Sequence, residues 1–526
     1  MFPLDVQALS KSSVSAFEKL PFWLVAPAEY NQIGEDIFSV WKETLSQCAP
    51  LESNLRIALD LIEAEVVGRT YKLLTIALEA DRARQLEIDL EVPVEQNSLF
   101  KNFVSAPSTT QSDLTTQFDF PNGPSSVWKH ILKDGVFRLR GVGLGSTNAI
   151  LKFSENMLLG EAAEAVMAKR IWPEIFTARS SEILHQELSG KEYAEIFSDR
   201  LTNISQELKS ASPDIEGMVK TTLTQLLERW IALALRDLLK IKKVSPNAFK
   251  EKLISGTPKY TGRLLGYVYH HLGKEVIRFE HGGERAFFRD KGWFASELRF
   301  CTEYRCLGKG GARQFADRYE TPYGRGAHDQ VPKFIAQGSR YHQSLFFKSH
   351  RSSAPPPYIL YLPGLYLGER FRAAAIQFKL NDVVYVNWQI WLLQCLNRAG
   401  FKVILKHHPG GLSPLSSFLT CFAHDQWKDR YDARRARGML HLFDFPGTAF
   451  IDAIAAGAPT ILIDTKVRER DSRTFEDLMQ RVSVVEAFYT EENLLRVDEE
   501  DLIAAIGYAS TKVSMTSGFN EKYFSA

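Results

Sequence analysis

What this sequence lacks narrows its function first. It has no charge surplus: 64 Lys and Arg stand against 63 Asp and Glu, a net charge of +1. Without a basic excess there is no footprint for nucleic acid, so attraction to phosphate must come from a local arrangement. Cysteine is scarce, with five residues (Cys48, Cys301, Cys306, Cys395 and Cys421), scattered and without paired metal spacing. Reduced thiols and no bound metal are expected. The opening stretch, MFPLDVQALSKSSVSAFEKL, has no apolar core of a signal peptide. No uninterrupted apolar run is long enough to span a bilayer. The best candidate, 223–239, is broken by Glu228, Arg229, Arg236 and Asp237. A cytoplasmic protein is the expectation. Nothing repeats at a solenoid period.

What is present is a globular composition, 45% hydrophobic, over 526 residues. That length exceeds one ordinary core, so two or three domains are expected. The segment FWLVA (22–26) reads as a buried strand followed by a helix over 33–45, a first strand–helix unit. Long helical periodicity runs over 55–86, and 93–126 turns polar, as an insertion or exposed loop does. Residues 157–240 are largely helical. Within them Leu223, Leu226, Leu227, Trp230, Ile231 and Ala234 fall at helical spacing. The basic tail Lys240, Lys242 and Lys243 offers a peripheral contact with the inner membrane surface, although a solvated helix end is the plainer reading.

Past residue 275 the texture changes. Residues 276–279 read as a strand running into Glu280-His281-Gly282-Gly283-Glu284, and a second short strand is expected over 298–304. Residues 312–350 show little periodicity. The stretch RSSAPPP (351–357) is a stiff linker, which divides the chain into an amino-terminal unit (1–350) and a carboxy-terminal unit (358–526). Beyond it the pattern is clear: strands over 358–362, 401–406, 439–443 and 459–464, with helices over 382–399 and 448–456. Alternation at these lengths means a parallel sheet covered by helices, a Rossmann-like α/β domain. The fold class is therefore α/β, with a helix-rich amino-terminal insertion.

Ligands of such sheets sit at the carboxyl ends of strands. One candidate there is Asp444-Phe445-Pro446-Gly447-Thr448, where Thr448 can cap the following helix and Gly447 lets a phosphate approach the free amides. An ordinary strand–helix turn accounts for the segment equally well. A second is His408-Pro409 after FKVILK, able to meet a phosphate oxygen or protonate a leaving group; the neighbouring His407 reads as structural. The third is the EHGGE turn, where Glu280 or Glu284 can act as base and His281 and Gly282 can line a ligand. Asp290 and Glu297 follow without a distinctive setting. Gly308-Lys309-Gly310-Gly311 lacks the order of a phosphate loop, and 141–145 lacks the dinucleotide spacing, so both read as loops.

The strand-His408-Pro409 segment, followed by GTAFIDAIAAGAPTIL, resembles the donor-binding half of GT-B glycosyltransferases of bacterial surface-polysaccharide assembly. The likeness is strongest to the CMP-sugar-using sialyltransferase and Kdo-transferase groups. In those, an HP motif and a later turn, often a Ser-Ser pair, meet the donor phosphate; here Gly447-Thr448 stands in place of the pair. The EHGG turn is similar to one in amino-terminal domains of such transferases. The resemblance covers the last half of the chain. It implies two Rossmann-like domains of GT-B type and inverting sugar transfer without a metal, the nucleotide-sugar donor being a substrate and no separate cofactor being needed. His408, Gly447 and Thr448 would hold the donor phosphate, and a carboxylate, Glu280 or Glu284, would activate a hydroxyl of a glycan acceptor. A nucleotide-sugar epimerase, a polyol-phosphate transferase or a non-catalytic nucleotide-binding scaffold could use the same architecture.

Overall fold

The computed structural model describes residues 2–3, 14–47, 53–88, 90–91, 150–153, 156–162, 169–170, 187–204, 213–242, 249, 251–256, 260–289, 291–319, 331–346, 358–366, 380–408 and 419–526. The polar stretch 93–126, the segment 141–145, Asp290, the linker 351–357 and Pro409 lie outside them.

The amino-terminal part is helical. Residues 22–26, expected as a strand, form a bend, and α1 (Pro27–Gln47) begins directly after it. Proline fits a first helical position because its fixed φ and missing N–H cost nothing there. The Glu29 carboxylate accepts the Ala26 N–H at 2.7 Å. The polar backbone of Trp23 is satisfied by Glu492 O and the Asn493 side chain, so no sheet is needed. α2 (Ser53–Gln85) is buried along its length, carrying Asp60, Glu63 and Glu65 inward. They survive burial because guanidinium groups meet them: Arg263 pairs with Glu65 and Arg299 with Glu63.

The first sheet contains β1 (Ile150–Phe153), β2 (Lys169–Arg170), β3 (Lys252–Ser255), β4 (Glu275–Phe279), β5 (Glu303–Cys306) and β6 (Lys333–Ala336). Its spatial order is β2-β1-β3-β4-β5-β6, all parallel. Helices α3 (Met157–Glu161), α4 (Glu187–Ile204), α5 (Pro213–Lys242), α6 (Tyr260–His271), α7 (Lys309–Tyr319) and α8 (Arg340–Leu345) accompany it. The expected strand over 298–304 begins instead at Glu303, after a helical turn over 294–298. The expected loop 308–311 is the start of α7. Its glycines are a packing requirement: a Cβ on Gly308 or Gly310 would collide with Tyr523.

The second sheet matches the periodicity closely. It holds β7 (Ile359–Leu362), β8 (Val403–Leu405), β9 (Asp425–Gln426), β10 (Leu440–Phe443), β11 (Thr460–Asp464), β12 (Ser483–Tyr489) and β13 (Leu495–Val497). The order is β9-β8-β7-β10-β11-β12-β13, parallel except for the last pair. β7, β10 and β11 are buried at every position, as their predominantly apolar runs lead one to expect of strands covered on both faces. α9 (Asp382–Arg398), α10 (Thr448–Ala455) and α11 (Ser472–Arg481) flank it, and α12 (Thr516–Phe524) crosses back to pack on α7. The two parallel α/β sheets are thus those of the expected fold class. Among the described residues no helix is long and apolar enough to cross a membrane.

Candidate active site at the facing sheet edges

Topology marks where a ligand belongs. In the second sheet the chain runs from β7 out to β8 and β9, then crosses back to β10 on the other side of β7. The crevice outside the carboxyl ends of β7 and β10 is therefore a switch point, the favoured ligand position of open parallel sheets. Gly364, Tyr385, Asp444, Phe445 and Thr465 line it. In the first sheet the corresponding point lies between β1 and β3, and there Asn156 donates to the carbonyls of Phe279 and Glu280 at 2.8 and 3.2 Å.

The Asp444–Thr448 turn is held from beneath. Asp444 is buried and accepts hydrogen bonds from the Tyr361 hydroxyl, the Tyr385 hydroxyl (2.7 Å) and the Trp388 indole (3.0 Å). Burial pushes its carboxyl up, and the three donors oppose that shift. Asp444 is a structural anchor, and the ligand-facing part of the turn lies beyond it. Thr448, expected as the cap, is the first helical residue of α10 and is exposed; Gly447 holds the cap position, with no side-chain hydrogen bond to the helix start. A cap must sit in extended backbone, as Gly447 does at φ −129° and ψ −165°. Nothing lies within 4 Å of a Cβ built on Gly447, so the space before the first-turn amides is open. Arg468 adds a cation, its Nη1 3.5 Å from Pro446 O and its guanidinium 4.8 Å from the Phe288 ring.

The EHGGE turn leaves β4 at the edge of the first sheet. Gly282 and Gly283 adopt φ +90° and +83°, a left-handed backbone that only glycine takes without strain. Glu280 is 2% exposed and its Oε2 accepts the Leu307 N–H at 2.8 Å. Burial raises its carboxyl to about 8, with Glu284 and Glu297 adding repulsion. Glu280 Oε1 and Glu284 Oε2 are buried oxygens without a hydrogen-bond partner among the described residues. His281, in contrast, is exposed. Glu297 turns out to be a buried anchor bonded by Arg285, Trp293 and Tyr304. Burial alone would push it up, but the Arg285 guanidinium brings its carboxyl below the usual range.

The EHGGE turn meets the helix that follows the Asp444–Thr448 turn. A Cβ built on Gly283 would lie 3.3 Å from the Ile451 side chain of α10, so the EHGGE turn is pressed onto the helix that begins at Gly447. Further along, Phe288–Arg289 pairs antiparallel with Glu469–Arg470. Beyond β6, Tyr341 and His342 reach Asp452 of α10, each at 3.3 Å. His408 is exposed and follows β8, which flanks β7 on the side away from β10. It leaves the same edge as Gly447, but two strand spacings away, roughly 10 Å. The structure thus brings Glu280, Gly282, Glu284, Gly447 and Thr448 to one seam and leaves His408 at its flank.

No family model matches this chain, and no curated protein does. Solved structures do overlap with it. Staphylococcus aureus MnaA, in a co-structure with UDP, is 9% identical, with 55% of this chain and 73% of that one covered at a TM-score of 0.33. A putative UDP-N-acetylglucosamine 2-epimerase from Listeria monocytogenes is 10% identical, covering 55% and 72% at 0.35. The Methanocaldococcus jannaschii UDP-GlcNAc 2-epimerase, in complex with UDP-GlcNAc and UDP, is 12% identical, covering 70% and 98% at 0.33. Overlap this loose transfers neither ligand nor activity to this chain.

Several residues of the seam escape a reading of the sequence. Asn156, Tyr385, Arg468 and Asp471 sit in segments without a motif, and only the crossing of distant strands gives them partners. Asp471 is the hub: it accepts from Gln314, Arg289 and Arg318 of the first unit and caps α11. Among the described residues no cluster of His, Cys, Asp or Glu could hold a metal ion.

Proposed function

We propose that this protein is an enzyme of nucleotide-sugar chemistry, a glycosyltransferase working at the seam between its two sheets. The supporting observation is the contact of Gly283 with Ile451, which sets a pair of buried carboxyl groups against the helix whose open amino end suits phosphate. In this reading the donor phosphate lies on the Thr448 and Ala449 amides beside Arg468, with His408 reaching in from the flank. Pre-aligned amides and a guanidinium would stabilise the departing phosphate, usually the largest protein contribution to such a step. Glu280, protonated at neutral pH, suits a proton donor; Glu284 is the proposed base for an acceptor hydroxyl. His281 and Gly282 complete the donor side in this reading.

A second reading, epimerisation of the donor sugar, is favoured by the same two carboxyl groups, because two acid–base groups in one turn serve proton removal and return. The assignment of a CMP-linked donor rests on the resemblance of the His408-Pro409 and Gly447-Thr448 segments alone. Thermal-shift ranking of CMP, UDP, GDP and CDP identifies the base, since a ligand at 100 times its Kd stabilises by about 2.7 kcal/mol. Incubating the preferred nucleotide sugar without acceptor separates the readings: an inverted sugar centre means an epimerase, and an unchanged donor excludes one. Gly447→Val should fold normally, because open space receives the side chain, yet lose nucleotide affinity by calorimetry. Unchanged affinity would place the phosphate elsewhere.

A further inference from the structure

A cavity of about 380 Å³ opens where the chain leaves β6, lined by Arg305, Arg340, Gln337, Gln343 and Glu161 with the backbone of Gly338 and Ala526. It lies at the carboxyl edge of the first sheet, and its volume admits a sugar ring with its substituents. The lining is polar, and its charges are unequally committed. The Glu161 carboxylate faces the first turn of α8: Oε1 accepts from Tyr341 N at 3.0 Å and the Ser339 hydroxyl at 3.2 Å, and Oε2 from Arg340 N at 2.8 Å. It keeps its negative charge, but its oxygens are directed at those donors. The Arg340 guanidinium has no partner among the described residues and is exposed. Arg305 is steadied by Glu303 at 2.7 Å and by Gln337 at 3.3 Å, and stacks on Phe279 at 5.3 Å. Gln343 donates to Phe524 O at 2.7 Å, which leaves its carbonyl oxygen to accept from a hydroxyl.

Two guanidinium groups flanking a polar hollow select a planar or tetrahedral anion. The amides around them suit sugar hydroxyls. The hollow is also connected to the seam: α8 forms its wall, and Tyr341 and His342 of α8 contact Asp452 of α10. One short helix thus separates the cavity from the helix that starts at Gly447.

We propose that this cavity is a subsite for an acidic saccharide, a sugar bearing a carboxylate or phosphate, with Arg340 and Arg305 on the anion and Gln343 on the ring hydroxyls. Naming that saccharide the acceptor rests on the nucleotide-sugar reading; its binding does not. The test titrates the full chain with glucuronate, glucose 6-phosphate and neutral glucose, each followed by calorimetry or ligand-observed NMR. At least one acid should bind ten times more tightly than glucose, the better of the two identifying carboxylate or phosphate as the preferred group. Arg340→Glu should lose that preference at least tenfold, and Arg340→Gln in part, with melting temperature and nucleotide affinity unchanged. Gly447→Val should show the opposite pattern, keeping the acidic sugar and losing the nucleotide. Acids that bind no better than glucose, or an Arg340→Glu chain that binds them as the parent does, would overturn the subsite. Acid binding without any nucleotide binding would sustain the subsite and overturn the proposed function.

Discussion

Glu280 shows how one residue can be read by its environment. The sequence marks it only as the residue after a strand, and either acid or base would fit. The structure buries it against Leu307 N–H, Glu284 and Glu297, so its carboxyl titrates near 8 instead of its ordinary 4.5. The folded state therefore keeps a proton that the unfolded chain releases above 4.5. Stability from this group is complete below that value and is lost as pH rises towards and through 8. Denaturant titrations at pH 5, 6.5 and 8 should show stability falling across this window, and Glu280→Gln should flatten the slope. A variant with the parent's pH dependence would exclude Glu280 as its source. Thr448 makes the complementary point: as an exposed first helical residue its hydroxyl is available to a ligand, and its role does not lie in capping.

At the scale of elements, the phosphate turn is only as rigid as the strand and helix beneath it. β10 delivers Asp444 to the sheet edge, and α9 supplies Tyr385 and Trp388 to fasten it. Tyr385 acts twice, because its hydroxyl also accepts the Gly364 N–H at the end of β7. Both sides of the switch-point crevice hang on that one oxygen. Tyr385→Phe should cost about 1–3 kcal/mol, since it leaves a buried amide and a buried carboxylate each short of a partner. It should also weaken nucleotide binding, because the turn that it fastens would loosen. Chemical denaturation and calorimetry check the two effects separately, and wild-type stability would show that water or neighbours replace the hydroxyl. In the same strand His441 is buried and pushed down to about 4, so it stays neutral near pH 7 and serves packing against Tyr431 and Phe443.

Across the whole molecule, a small set of specific contacts joins the two sheets. The Asp471 hub, the Phe288–Arg289 pairing and the return of α12 onto α7 hold one region of the seam. The long amino-terminal helix α2 ties the two sheets together, through Arg263 and Arg299 to the first and through the Glu79–Asn381 bond (2.8 Å) to the second. Asp471→Ala would take from the buried Arg318 guanidinium the carboxylate that it pairs with. Breaking one side of a buried ion pair costs about 3–5 kcal/mol. The variant should melt lower and exchange amide hydrogens faster over 284–289 and 469–475. Unaltered exchange there would mean that the hub does not secure the seam.

The sequence by itself determined four of the seven strands of the second sheet, β7, β8, β10 and β11. Runs such as ILYL, LHLF and TILID are predominantly apolar, as a strand covered on both faces favours. It also determined that the EHGGE and Asp444–Thr448 turns lie at strand ends, because glycine and proline stop an apolar run wherever it occurs. It placed the first strand wrongly at 22–26, since a short apolar segment is buried equally well as a bend over packed helices. The first sheet was less legible: charged residues interrupt its strands, as in ILKF, EVIRF and EYRC, so few continuous apolar runs mark them. Strand order, and with it the switch points, belonged to the tertiary structure alone. So did the partners of Asp444, Glu297 and Asp471, which lie tens to hundreds of residues away or in motif-free segments. Local pattern encodes which face of an element leaves water. Which distant side chain receives it is decided only when the sheets pack.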